Sequence, residues 1–176
     1  MTLRMALSGM ATSLALALVV PGPALAHEYE AGDISVAHPW ARATPGGAKV
    51  GAAFMEIKAK DGVADTLVSA STPAAGRVEI HTHIMDDGVM KMRRIENLPV
   101  GEGKSVVLRP SGDHIMLFDL KAPLKEGDLL PLTLVFEKAG EIKIEATVEP
   151  VGAKGPHGMD HQPGHEAGGG SDHGQH

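Results

Sequence analysis

From Ile34 to Pro150 the chain alternates short runs of Val, Ile, Leu and Thr with clusters of Gly, Pro, Asp and Asn. That spacing of apolar runs and turn residues predicts an all-β domain of antiparallel strands, because helical periodicity is almost absent. Strands are expected at about Ile34 to Ala37, Gly51 to Lys58, Asp65 to Ala70, Arg77 to His83, Val89 to Arg93, Ser105 to Leu108, His114 to Leu120, Leu132 to Glu137 and Ile142 to Pro150. The last is the plainest. Ile142, Ile144, Ala146 and Val148 alternate with Lys143, Glu145, Thr147 and Glu149, so one face goes inward and the other meets water.

Turn residues add local pairing. Asp86-Asp87-Gly88 separates the runs holding His81 and Met92 and suits a tight hairpin that keeps those strands adjacent. His114 and Met116, two apart on one strand, point to the same face at roughly 6–7 Å along the backbone. For the two pairs to meet, the connection from Ile95 to Asp113 has to bring the chain back to the same end of the fold.

These residues change the picture chemically. The chain has no cysteine, which removes disulfides, a redox CxxC, a cysteine nucleophile and the thiolate of a blue-copper centre. Yet His81, Met92, His114 and Met116 put two imidazoles and two thioethers within 36 residues. Soft thioether with imidazole suits Cu(I) and attracts Zn, Mg or Ca weakly. Thioethers need no deprotonation, and they tolerate an oxidising compartment in which a thiol pair would be lost. The opposing reading makes Met92 and Met116 gap-fillers of the core.

Written as His81-x10-Met92-x21-His114-x-Met116, the spacing resembles the periplasmic copper chaperone family called PCu(A)C. The resemblance extends to His38-Pro39-Trp40-Ala41-Arg42-Ala43-Thr44, Gly51-Ala52-Ala53-Phe54-Met55, Gly88-Val89-Met90-Lys91-Met92 and Pro123-Leu124-Lys125-Glu126-Gly127-Asp128. It implies a cupredoxin-like, Ig-like β-sandwich that binds Cu(I) through His81, Met92, His114 and Met116. It also implies delivery to the copper centre of cytochrome c oxidase, directly or through a thiol-bearing assembly factor. His83 departs from the family, in which a methionine often stands, and offers a third imidazole as an auxiliary ligand. Met85 and Met90 lie close enough to line the mouth of the site. His38 reads as structural and Trp40 as core.

Residues 1–26 read as a secretory signal: Arg4, an apolar stretch from Met10 to Val20, and Ala24-Leu25-Ala26 as the cleavage site. Pro21 and Pro23 interrupt a run already short of the about 20 apolar residues of a membrane span. Periplasmic localisation without stable membrane insertion follows as the expectation. Cleavage removes one basic and no acidic residue, taking the net charge from −6 to −7, which disfavours nucleic acid as a partner. Residues 27–150 then form the copper-binding domain, expected to be monomeric.

From 151 to 176 glycine rises, large aliphatics vanish after Val151, and five of the ten histidines appear. A disordered tail is expected, with His157, Met159, His161, His165, His173 and His176 as Cu(II) ligands. The new N-terminus, His27, could chelate Cu(II) through its amine and imidazole, but the segment from His27 to Gly32 reads as mobile. No hydrolase, zincin or phosphate-loop motif is present, so an enzyme is not expected. Besides transfer, three readings compete: a periplasmic copper buffer without a dedicated acceptor, a structural sandwich with incidental histidines, and a copper oxidase using His27.

Overall fold

The computed structural model describes residues 28–101 and 105–156. The signal segment, His27 and the tail ligands from His157 onward lie outside the described residues. Those described form eleven strands and no helix: β1 (Glu28–Ala31), β2 (Ile34–Arg42), β3 (Val50–Ala59), β4 (Ala64–Ser71), β5 (Ala75–Asp86), β6 (Val89–Ile95), β7 (Leu98–Gly101), β8 (Ser105–Leu108), β9 (His114–Leu120), β10 (Leu129–Phe136) and β11 (Gly140–Glu149).

The strands pair in the order β6-β5-β9-β3-β2-β11-β10-β4-β7, with β1 added to β2 and β8 to β3. Residues from both ends of this ladder, Ile80 and Leu117 at one and Leu67 and Leu98 at the other, share one buried cluster. The sheet therefore doubles over on itself into a sandwich around a single core, as the alternation predicts, and of the cupredoxin-like kind that the family resemblance implies. Trp40 is buried against Phe54, with ring centroids 4.4 Å apart.

One pairing departs from the all-antiparallel expectation: β11 runs parallel to β2, Thr147 opposite Trp40 and Glu149 opposite Arg42. The switch occurs at a break in β2. The first half pairs with β1 from Ile34 to Ala37, then the register shifts between Ala37 and Trp40. Pro39 has no N–H to give to a ladder, and His38 turns the backbone at φ 50. A strand without that interruption would hold one neighbour along its whole edge.

Three expectations about the connecting segments need correction. The segment expected to be mobile contains β1, whose Tyr29 hydroxyl donates to the Glu145 carbonyl at 3.3 Å and accepts from the Glu145 N–H at 3.1 Å. The connection from Ile95 to Asp113 holds β7 as well as β8; Leu98 and Val100 are buried there, and Pro99 fits an edge strand. Nor does order stop at Pro150. Residues 151–156 turn back onto the domain, where the Arg42 guanidinium donates to the Ala153 carbonyl at 2.6 Å. Short segments with one or two apolar residues carry little periodic signal, so tertiary contacts decide them.

Asp65 ties β4 to the β10–β11 turn. Its buried carboxylate accepts from the N–H groups of Thr66, Lys138 and Ala139 at 2.7, 2.9 and 2.9 Å. Burial works to raise its pKa, but these bonds and nearby Lys138 hold it below the ordinary 3.8.

Candidate metal centre

The β5–β6 hairpin turns at Asp87 (φ 50) and Gly88 (φ 77), the two positive φ values of a type I′ turn. That turn fixes the register: Asp86 faces Val89, Met85 faces Met90, His83 faces Met92 and His81 faces Arg94. On the other side of β5, His81 faces His114 and Glu79 faces Met116. Directly opposed residues share a face of the sheet. Hence Met85, His83, His81, Glu79, Met90, Met92, His114 and Met116 all stand on one face of three adjacent strands.

At the centre is the rung joining His81 to His114, with ring centroids 6.0 Å apart. His83 lies still closer to His114, at 5.2 Å. Met92 sits one rung away diagonally from His81, a relation worth about 7–8 Å between backbone positions. Met116 follows His114 by two residues on the same strand. The thioethers thus flank the imidazole pair from opposite corners, one on each outer strand. Depth is graded as well: His114 is 3% exposed and Met92 49% exposed.

Hydrogen bonds decide which nitrogens remain free. The Gly112 carbonyl accepts from Nδ1 of His114 at 2.8 Å and from Nδ1 of His83 at 3.1 Å. In the neutral tautomer these bonds select, the lone pair of each ring is on Nε2. His81 is turned the other way, with Nε2–H donating to the Glu79 carboxylate at 2.7 Å. Its Nδ1 is buried and has no hydrogen-bond partner. A lone pair so placed is costly unless something binds it, and a carboxylate behind a ligating imidazole is a recurrent support of metal sites.

The electrostatics agree with neutral imidazole. Burial pushes the His114 pKa below its ordinary value, and His83 and His81 push it the same way against the Gly112 bond and Asp113. Glu79 is held below the usual carboxylate range, first by His81 and then by Arg77 and Arg94. Arg77 contacts Glu79 and also stacks over Phe118 at 4.2 Å, while Arg94 approaches Glu79 at 3.8 Å. Among the described residues, His and carboxylate groups alone form no cluster of three or more arranged to hold a metal. The donor set of this face is completed by thioether sulfur, which favours a soft monovalent ion.

Residues 34–148 match the LpqE-like family, described as "Putative lipoprotein LpqE-like". The chain belongs to the LpqE-like family. A "Putative lipoprotein" of Leifsonia xyli subsp. xyli is 28% identical over 144 residues, covering 81% of this chain and 82% of that protein. Among solved structures, the copper-bound PCuAC domain from PmoF2 is 30% identical with a TM-score of 0.61, covering 70% of this chain and 98% of that one. The solution structure of CuI-DR1885 from Deinococcus radiodurans is 28% identical with a TM-score of 0.51, covering 73% and 83%. The sequence resemblance to the PCu(A)C family is thereby confirmed.

In this LpqE-like chain, then, the four expected ligands His81, Met92, His114 and Met116 and the expected auxiliary His83 are gathered on one face, and Met85 and Met90 stand at the hairpin tip beyond them. His38 is placed at the break in β2 rather than with the donors. Sequence reasoning did not single out Glu79 or Gly112. Glu79 had a signal, since it precedes His81 by two residues on an alternating strand. Gly112 had none, because a backbone carbonyl acts there and any residue type carries one.

Proposed function

We propose that this protein is a periplasmic copper carrier that holds Cu(I) through His81, Met92, His114 and Met116 and surrenders it by ligand exchange. The observation that carries this reading is the buried, unpartnered Nδ1 of His81, a residue that stands opposite His114 on one rung with its other nitrogen anchored on Glu79. Copper is here the cargo. His114 supplies a neutral buried imidazole, Glu79 fixes the His81 tautomer, and the half-exposed Met92 gives an incoming ligand its first point of displacement. The copper-bound PCuAC relative and the Cu(I) form of the Deinococcus protein support the choice of metal. A lipoprotein name on a relative and a leader-like first 26 residues support export.

Neutral sulfur ligands at an accessible rim can be replaced one at a time. The proposed recipient is the copper centre of cytochrome c oxidase or a thiol-bearing assembly factor, with Cu(II) capture by the histidines of the tail as an upstream step. Pro156, where the described tail ends, lies beside His38, Trp40 and Arg109. Arg109 opens the turn whose Gly112 carbonyl accepts from His83 and His114, which supports a tail acting together with this turn.

The test is an anaerobic Cu(I) competition titration of the full chain against a chromophoric chelator, beside its Met92→Ala, Met116→Ala variant. One tight equivalent lost in the variant is expected; an unchanged tight equivalent would overturn the ligand set. For the tail, a chain ending at Pro156 should acquire Cu(II) less readily than the full chain. Oxidase deficiency on loss of the gene separates a carrier from a buffer, which would give copper sensitivity alone.

A further inference from the structure

Of the five methionines in the described residues, Met55 is buried and Met116 half-buried, whereas Met85, Met90 and Met92 are 70%, 55% and 49% exposed. All three exposed ones lie on the β5–β6 hairpin. Packing does not account for them, since no residue of β6 is buried and none of β5 beyond Ile80. Exposed thioethers are also open to oxidation, so a position that only needed an apolar or polar surface residue would be better served by another type.

Register concentrates them. Met85 is directly opposite Met90, and Met92 occupies the next rung on that face opposite His83. Opposed positions have Cβ atoms about 4.5–5.5 Å apart, within the reach of flexible methionine side chains for one another. Around the tip, charge is kept to the reverse face. There the Asp86 carboxylate accepts from Lys91 at 2.8 Å and Arg93 at 3.3 Å, and exposed Val89 stands with them, opposite Asp86. The thioether face of the tip holds no carboxylate, which leaves nothing to attract a hard cation.

We infer that Met85, Met90 and Met92 form a second Cu(I) site at the hairpin tip, through which the ion enters and leaves the His81/His114 centre. This rests on the Cu(I) reading of that centre. Met92 belongs to both sets: one rung outward are Met85 and Met90, and one rung inward is His81. An ion can therefore pass between tip and centre while Met92 stays bound, exchanging only neutral ligands with no proton to move. Apolar docking of a protein is less well served, because the exposed apolar side chains divide between the two faces.

The experiment follows the methionine methyl signals of the full-length protein, labelled with [methyl-13C]methionine, by NMR during anaerobic addition of Cu(I). Met92 and Met116 should move with the first equivalent, and Met85 and Met90 in a later, weaker event. The Met85→Leu, Met90→Leu variant should lose that later event and keep the first. If Met85 and Met90 stay still to saturation while Met116 moves, the tip site is overturned and the centre stands. If Met92 and Met116 also stay still, the Cu(I) reading itself falls. Equal movement of Met85 and Met90 with Zn(II) would overturn the soft-ion assignment of the tip.

Discussion

The β10–β11 and β5–β6 hairpins share one backbone plan and spend their side chains differently. In β10–β11 the inward rungs are Leu130 with Ala146, Leu132 with Ile144 and Leu134 with Ile142, all buried. In β5–β6 the corresponding rungs are Met85 with Met90, His83 with Met92 and His81 with Arg94, and none of these is buried. The first hairpin faces the core and is selected for shape; the second extends past it, free of packing demands, and carries donor atoms. Alternation alone makes the two look alike, and residue type separates them. A strand that projects beyond the core can hold a metal near solvent without weakening the domain.

The largest effect should come from the packed hairpin. Leu134→Ala removes a fully buried side chain and should cost about 2–5 kcal/mol in urea unfolding, while the Cu(I) affinity of the folded protein stays unchanged. Next, Asp65→Ala leaves the Lys138 and Ala139 N–H groups of the β10–β11 turn without their acceptor, at about 1–3 kcal/mol. Its pH dependence has a definite sign. The folded carboxyl releases its proton more readily than the unfolded one, so its contribution is complete above about pH 3.8 and is lost as pH falls through the lower folded value. Unfolding of the variant should therefore be less acid-dependent in that window.

On the β5–β6 hairpin the proposed centre reverses the order, with function more sensitive than stability. Glu79→Gln keeps an acceptor for His81 but removes the charge, and Cu(I) affinity should fall by about tenfold, the lower end for a support behind a ligand; chelator competition reads it. Smallest is the stability change on Met85→Leu with Met90→Leu, within about 0.5 kcal/mol for exposed positions. A loss as large as that of Leu134→Ala would mean the tip is packed after all, and the contrast between the hairpins would collapse.

The legibility of the fold tracked the strength of local signals. β11 and the Asp87-Gly88 turn could be read directly, because period-two burial and positive φ act within a few residues. β1 and β7 could not, being four residues each, nor could the parallel contact of β11 with β2. In the centre, the pairing of His83 with Met92 follows from one tight turn, and His114 with Met116 from strand geometry. Glu79 and the Gly112 carbonyl were hidden, the one as an ordinary surface carboxylate and the other as a backbone atom.

By itself the amino-acid sequence determined the class of fold, the soft donor set without cysteine, and the family to which the chain belongs. These depend on residue types at short spacings, where covalent geometry limits the outcomes. Only the tertiary structure decided that His81 faces His114, since β5 and β9 are separated by β6, β7 and β8 and their register is set by the core beneath them. It likewise decided which imidazole nitrogens are free, because Gly112 and Glu79 reach those rings only after the sheet has closed.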